Sequence, residues 1–329
     1  MLPSLPTYAD IEAAAGRLKG HALRTPLVES PVLSDRAGGR VLLKLESLQR
    51  IGAFKFRGAF NRISLIPEAE RARGVVAFSS GNHAQGVAAA AKLLGLKAAI
   101  VMPSDAPRAK IEGTRALGAE VIFCARNDDR ASIAAGICSE RGATLVKPFD
   151  DAAIIAGQGT VGLEIAVQAK ELGATLDDIF VPCGGGGLVS GIALAISQLS
   201  PSTRITSIEP ENFDGMRRSL AAGARSKAPG GTASLADALL TVMPGEIPFA
   251  VSQPRLSGGI TVCDDDLDRA VSYAAQKLKL MVEPGGSAAL AALLAEKISA
   301  RGKTVVLVIS GGNCDFSTVA AACARVPAP

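Results

Sequence analysis

Four short stretches of this chain carry residue types that could do chemistry. The first centres on Lys55, between Phe54 and Phe56. An amine held among apolar groups is pushed towards its neutral form, because desolvation disfavours the charge. A neutral amine can attack an aldehyde and form a Schiff base. The same residues also suit an amphipathic helix whose Lys lies between two buried phenylalanines. The second stretch is Ser79-Ser80-Gly81-Asn82-His83. It offers two hydroxyls, an amide and a ring, with Gly81 for a tight bend and Ser or Asn as the helix N-cap. Backbone N–H groups at a helix start favour a carboxylate. An ordinary capped turn has the same residues. The third is Gly184-Gly185-Gly186-Gly187, whose amides have no Cβ in the way and can surround a phosphate. The fourth, Ser310-Gly311-Gly312-Asn313, places a hydroxyl after an apolar run, and by itself reads as a plain turn.

The elements around these stretches alternate. Strands are expected over Val41–Leu45, Val75–Phe78, Ala98–Met102, Val121–Cys124, Thr144–Val146, Ile179–Pro182, Arg204–Ile208 and Thr304–Ile309. Helices are expected over Tyr8–Leu18, from Lys55 to before Pro67, and over Asn82–Leu94, Arg108–Leu117 and Ala131–Arg141. Further helices follow over Gly159–Leu172, Leu188–Leu199, Met216–Ala222, Asp265–Leu278 and Ala288–Ser299. Short apolar strands between Ala-rich helices predict a parallel sheet covered on both faces, an α/β fold. Three of the four stretches then lie at carboxyl ends of strands, where ligands of open α/β sheets bind.

Composition narrows the function classes. The chain has 329 residues, 48% hydrophobic and 20% charged, so it can bury a sizeable core. That core is aliphatic, because aromatics are only 4% and Trp is absent. The net charge of +4 is spread along the chain without a basic run, which argues against nucleic acid. Cys124, Cys138, Cys183, Cys263, Cys314 and Cys323 have no CxxC spacing, so buried free thiols are expected rather than disulfides or a metal site. No secretory signal and no membrane span are expected, hence a soluble cytoplasmic protein. His21 has no motif around it and is expected to be structural or exposed.

A dinucleotide reading needs glycines at i, i+2 and i+5. Counting from Gly184 or Gly185, the third position is Val189 or Ser190. Glu209, after the next strand, mimics a ribose-binding acid, so an NAD-dependent dehydrogenase stands as a second, remoter reading. A lysine, an Asn-bearing turn, a phosphate cup and a serine together suit a cofactor with an aldehyde, a ring hydroxyl, a phosphate and a pyridine nitrogen. With AFKFRGA, SSGNHAQG, AGQGT, GGGGLVSG and SGGN in this order, the chain resembles the fold-type II pyridoxal-phosphate enzymes, specifically the threonine/serine dehydratase and serine racemase group. The resemblance runs from about Tyr8 to Ala324.

The resemblance implies two open, twisted, mostly parallel sheets flanked by helices. Residues 1–74 and 152–329 would form the large cofactor-binding domain, with residues 75–151 as a small mobile domain inserted in it. It implies pyridoxal 5'-phosphate joined to Lys55 as a Schiff base, with Phe54 packed on the ring. Asn82 would bond the phenolic oxygen. Gly184, Gly185, Gly186, Gly187 and the Leu188 amide would hold the phosphate, and Ser310 would face the pyridine nitrogen. The substrate carboxylate would lie on Ser79, Ser80, Asn82 and His83, with Ser80 a second acid/base on the opposite ring face in racemases. The implied reaction is α,β-elimination of water from an L-threonine/L-serine type substrate, giving a 2-oxo acid and ammonia, in a homodimer. Arg130 sits where related racemases carry an arginine, which opens 3-hydroxyaspartate as substrate. A phenylserine dehydratase or a serine racemase would carry the same motifs.

The chain departs from the family pattern at Ala53, where a serine is usual. It departs again where the divalent-cation site has a second acid six residues after its Glu: here Gly215 follows Glu209 at that spacing, with Asp214 one step early, so no metal is expected. The regulatory domain of the long biosynthetic enzymes, and feedback by isoleucine, are not expected either.

Overall fold

The computed structural model describes residues 4–79, 81–106, 108–125, 127–231 and 234–326. The chain opens with α1 (Tyr8–Leu18), β1 (Leu27–Glu29), α2 (Pro31–Ala37), β2 (Arg40–Leu45), α3 (Lys55–Ser64) and the short α4 (Glu68–Arg71). Then β3 (Val75–Phe78), α5 (Asn82–Leu94), β4 (Ala98–Pro103), α6 (Arg108–Ala116), β5 (Glu120–Cys124), α7 (Arg130–Arg141) and β6 (Thr144–Leu145) alternate. The long α8 (Ala152–Glu171) leads to β7 (Asp178–Pro182), α9 (Gly187–Leu199), β8 (Arg204–Pro210), α10 (Gly215–Ala222) and α11 (Glu246–Ser252). The last elements are β9 (Gly258–Val262), α12 (Asp264–Tyr273), α13 (Ala288–Leu294), β10 (Thr304–Ile309) and α14 (Phe316–Arg325).

The strands form two sheets. One has six strands in the order β1-β2-β10-β7-β8-β9, parallel except for β1 at its edge. The other has four parallel strands in the order β5-β4-β3-β6. Successive side chains point to opposite faces of a strand, and both faces here are covered. In β10, Val305, Leu307 and Ile309 join the core under α12 and α13, while Val306 and Val308 join the core under α8 and α9. In the smaller sheet Val75 and Ala77 face the α3–α5 side, and Val76 faces α7.

Three of the expected helices differ in their bounds by several residues, and α2, α4, α11 and α14 were not expected. α8 begins at Ala152, capped by Asp151, which accepts from the amides of Ala153 at 2.8 Å and Ile154 at 3.1 Å. The glycines that argued for a later start are packing contacts inside it. A Cβ on Gly157 would lie 2.7 Å from the Arg57 carbonyl oxygen, and one on Gly191 of α9 would lie 2.6 Å from Gly159 N. By length and composition α8 could cross a membrane, but it packs against α1, α3 and α9 in the core. α12 ends at Tyr273 and continues as a wide turn over Ala274–Leu278, and α13 stops at Leu294. The six thiols are free; Cys124 and Cys183 are buried and the other four only half-buried. His21 is exposed and stacks on Phe60, with ring centroids 4.5 Å apart.

Candidate active site

Lys55 is the first residue of α3, and the segment before it is stitched to the end of β10. Phe54 N donates to the Ser310 carbonyl at 3.2 Å, and Ala53 forms an isolated bridge with Gly311. That pairing brings Lys55 and Ser310 together from opposite ends of the chain. Lys55 Nζ donates to the Pro148 carbonyl at 2.7 Å and lies 5.3 Å from the centroid of the Phe54 ring. Burial pushes its pKa down to about 8, and no carboxylate among the described residues restores it. A dipole and a ring face are weak substitutes for a counter-charge.

The turn between β3 and α5 is held differently from the expectation. Gly81, not Ser or Asn, is the N-cap, and it offers no side-chain cap. The Ser79 hydroxyl instead accepts from Gly81 N at 3.1 Å. With no acid in its first turn and open space beside Gly81, the α5 N-terminus leaves N–H groups for an anion. Ser80 lies outside the described residues. His83 Nε2 donates to the Val146 carbonyl at 2.9 Å, so its Nδ1 is the bare nitrogen, buried without a partner among the described residues. Burial, and then the nearby Lys55 charge, push the ring down to about 3, so it is neutral. Asn82 Nδ2 donates to Glu283 Oε1 at 2.6 Å, and its Oδ1 accepts from Asn313 Nδ2 at 2.8 Å.

The tetraglycine links β7 to α9. Gly186 has φ +96°, a left-handed conformation in which a side chain is strained. A Cβ on Gly185 would lie 2.3 Å from the Phe149 ring, and one on Gly186 would lie 2.7 Å from Met216 Cε. These glycines therefore let the loop close against its neighbours with its amides free of side chains. Glu209 does not line the cleft. Its two oxygens accept from Met216 N at 2.7 Å and Arg217 N at 2.8 Å at the start of α10, and burial pushes its pKa up to about 8. Asp214 is engaged with Arg217 and Arg218. The ribose-acid reading of Glu209 loses its geometry, because the carboxylate is turned into a helix cap.

A cavity of about 290 Å³ joins these parts. Phe54, Lys55, Ser79, Asn82, His83 and Arg130 line it together with Gly184, Gly185, Gly186, Gly187, Leu188 and Ser310. The structure adds residues that the sequence reading missed. Phe149 backs the glycines, and Glu283 is buried beside Asn82, its pKa pushed up to about 7 by burial and then by Asp237. Lys110 of α6 pairs with Asp237 across the cavity wall. The signal for Glu283 was an acid inside the apolar run MVEPGG.

A cup of bare amides at a helix start, an uncompensated amine, an amide and a hydroxyl fit a phosphorylated pyridine aldehyde. Residues 18–311 match the family described as pyridoxal-phosphate dependent enzyme, and the chain belongs to that family. Its cofactor is pyridoxal 5'-phosphate, and its two mostly parallel sheets are those of the fold-type II enzymes. The chain is 40% identical to the L-threo-3-hydroxyaspartate ammonia-lyase of Saccharomyces cerevisiae, over 96% of each chain. It is 41% identical to the L-threonine ammonia-lyase of Thermotoga maritima, over 95% of this chain and 77% of that one. The structure of maize serine racemase superposes with a TM-score of 0.90 at 35% identity, over 98% of both chains.

Proposed function

We propose that this enzyme eliminates water from a small β-hydroxy amino acid, giving a 2-oxo acid and ammonia. The observation that carries the reading is the half-buried amine of Lys55, which donates to the Pro148 carbonyl, has no carboxylate partner among the described residues and lines one cavity with the four glycines. Gly184, Gly185, Gly186, Gly187 and the Leu188 amide would hold the phosphate, with Asn82 and Ser310 at the ring and Phe54 packed against it. Pyridoxal phosphate, when bound, supplies an aldehyde for an amine and a ring that takes up the electron pair left by the α-proton. Because Ser310 is a hydroxyl, it cannot keep a pyridine nitrogen protonated as a carboxylate would, which favours loss of the β-hydroxyl over transamination.

Lys55 would accept the α-proton at Nζ; its lowered pKa leaves more of the free amine near neutral pH. The uncapped N-terminus of α5 receives the α-carboxylate. Neutral His83 adds a wall without a charge. We read the part carrying β3 to β6 as the lobe that closes over substrate, supported by the Lys110–Asp237 pair between α6 and the segment after α10. A homodimer is supported by Leu48, Met281 and Phe316, exposed on segments that converge near Gly312. Sedimentation of the wild type and of Phe316→Glu tests it.

Arg130 favours a second, narrower reading. It lines the cavity with no carboxylate partner among the described residues, and a guanidinium pairs a carboxylate bidentately. We propose 3-hydroxyaspartate as the preferred substrate on that ground, the hydroxyaspartate ammonia-lyase relative being consistent with it. The test is release of 2-oxo acid and ammonia from L-threonine, L-serine and 3-hydroxyaspartate. Arg130→Met should lower kcat/KM for hydroxyaspartate by about 100-fold and leave threonine within about threefold. Equal losses on both substrates would remove the β-carboxylate role, and no turnover of any would remove the elimination itself.

A further inference from the structure

We propose that Glu283 and Asn313 are positioning residues that fix which end of the Asn82 amide faces the cavity. An asparagine side chain can turn over, exchanging a donor for an acceptor. Here the choice is made from outside. The Ile51 main-chain carbonyl can only accept, and it takes one N–H of Asn313 at 2.6 Å. Asn313 must therefore point its NH₂ inward, and the second N–H goes to Asn82 Oδ1 at 2.8 Å. That leaves the Asn82 NH₂ towards Glu283 Oε1, which accepts at 2.6 Å. One N–H of Asn82 is then left over for the cavity, so the group it presents there is a donor. Turning the amide would set its oxygen against the Glu283 carboxyl and its NH₂ against that of Asn313. Both contacts would be lost in a buried place, where unmade hydrogen bonds are costly.

The relay is built into the fold. Glu283 is 3% exposed and Asn82 9%. A Cβ on Gly311 would lie 2.0 Å from Glu283 Oε1 and 3.2 Å from Asn82 Nδ2, so the SGGN turn is bare where the carboxyl passes. Glu283 N also donates to the Gly311 carbonyl at 3.2 Å, which ties the acid to the turn that carries Asn313. Asp237, Lys110 and Cys314 are the titratable groups that act on Glu283 or feel its charge. Its titration near neutrality does not reverse the relay, because a protonated carboxyl keeps an acceptor oxygen.

The inference rests on the reading that Asn82 faces the cofactor, and its test does not involve a substrate. Cofactor affinity is measured by reconstituting each variant with pyridoxal phosphate and following the absorbance of the bound cofactor. Glu283→Leu should weaken binding roughly tenfold, and Glu283→Gln, which keeps an acceptor, should restore it to within about threefold. In an Asn82→Ala background the Glu283→Leu loss should vanish, because the residue it acts through is gone. Asn313→Ala should give the same loss with the same dependence, and it carries the test if Glu283→Leu does not fold. The proposal is overturned by unchanged affinity in the single variants, by a loss that persists without Asn82, or by a glutamine no better than leucine. A failure of the elimination assay leaves these outcomes readable.

Discussion

Two cations lie two residues apart on α3 and are treated in opposite ways. Arg57, 1% exposed, is gripped by two carboxylates. Its Nε and one NH₂ reach Glu46 at 2.8 Å each, and its NH groups reach Glu164 at 2.7 and 2.9 Å. These partners outweigh burial and push its pKa up. Lys55 has the Pro148 carbonyl and the Phe54 ring but no carboxylate partner among the described residues, and burial pushes it down to about 8. The planar guanidinium suits a place where a charge must stay and be paired on several sides. The ammonium suits a place where the charge must be given up. One helix is thus anchored on its rear face by the kind of partner that it withholds in front.

The comparison breaks most sharply at Lys55→Ala. Activity should fall by about 10³-fold or more, since a covalent anchor and a proton acceptor go together. The cofactor-free protein should melt no lower than wild type, because no ion pair is removed. A lowered melting temperature would mean that Lys55 is structural. Arg57→Met should do the reverse. It leaves Glu46 buried without its guanidinium and should cost about 3–5 kcal/mol in denaturant unfolding. Lys44 sharpens the point, since its ammonium reaches Glu164 at 2.6 Å in the same cluster. Lys44→Met leaves Arg57 on both carboxylates and should cost less, about 1–3 kcal/mol by the same unfolding measurement.

The pH dependence tests the same contrast without a substitution in the first instance. Lys55 binds its proton less tightly when folded, so the cofactor-free protein should gain stability as pH rises from about 8 to 10.5. The gain should be missing in Lys55→Met. Glu283 has the opposite sign. Its folded pKa is raised from 4.5 to about 7, so its stability contribution is present below 4.5 and lost as pH rises to 7. Glu283→Gln should flatten that fall. A wild-type curve with neither slope would mean that both groups are better solvated than their burial indicates.

The division between these regions sets what the sequence could reveal. Lys55 between two phenylalanines, the four glycines and the Ser310 turn were readable because each is local, a strand or helix end with an unusual residue. The alternation of short apolar strands with helices likewise predicted the parallel sheets. Partners supplied by distant segments were not readable. Glu283 reaches Asn82 from 201 residues away, and Glu164 reaches Arg57 from 107. The start of α8 was misplaced for the same reason, since Gly157 looks like a breaker until Arg57 and Gly58 are seen against it. β9 was missed because Gly258 and Gly259 look like a loop, although that edge strand is held by β8. The α5 cap differs from the expectation because serines and asparagines are good caps locally, whereas here Gly81 takes the N-cap position, the Ser79 hydroxyl accepts from Gly81 N and Asn82 is already inside the helix.

Backbone approaches backbone on two sides of α3, against α5 and against α8. A methyl on Gly86 of α5 would come within 3.2 Å of the Lys55 carbonyl group, one on Gly58 within 2.8 Å of the Ile154 oxygen, and one on Gly157 within 2.7 Å of Gly58 Cα. The Gln158 side chain fills the remaining space at Gly58, where its Oε1 accepts from the Gly58 amide at 3.2 Å, so α3, α5 and α8 pack as one block. Redesign of the specificity of this enzyme should therefore treat them as one inherited piece, and look for its freedom at the cavity rim instead.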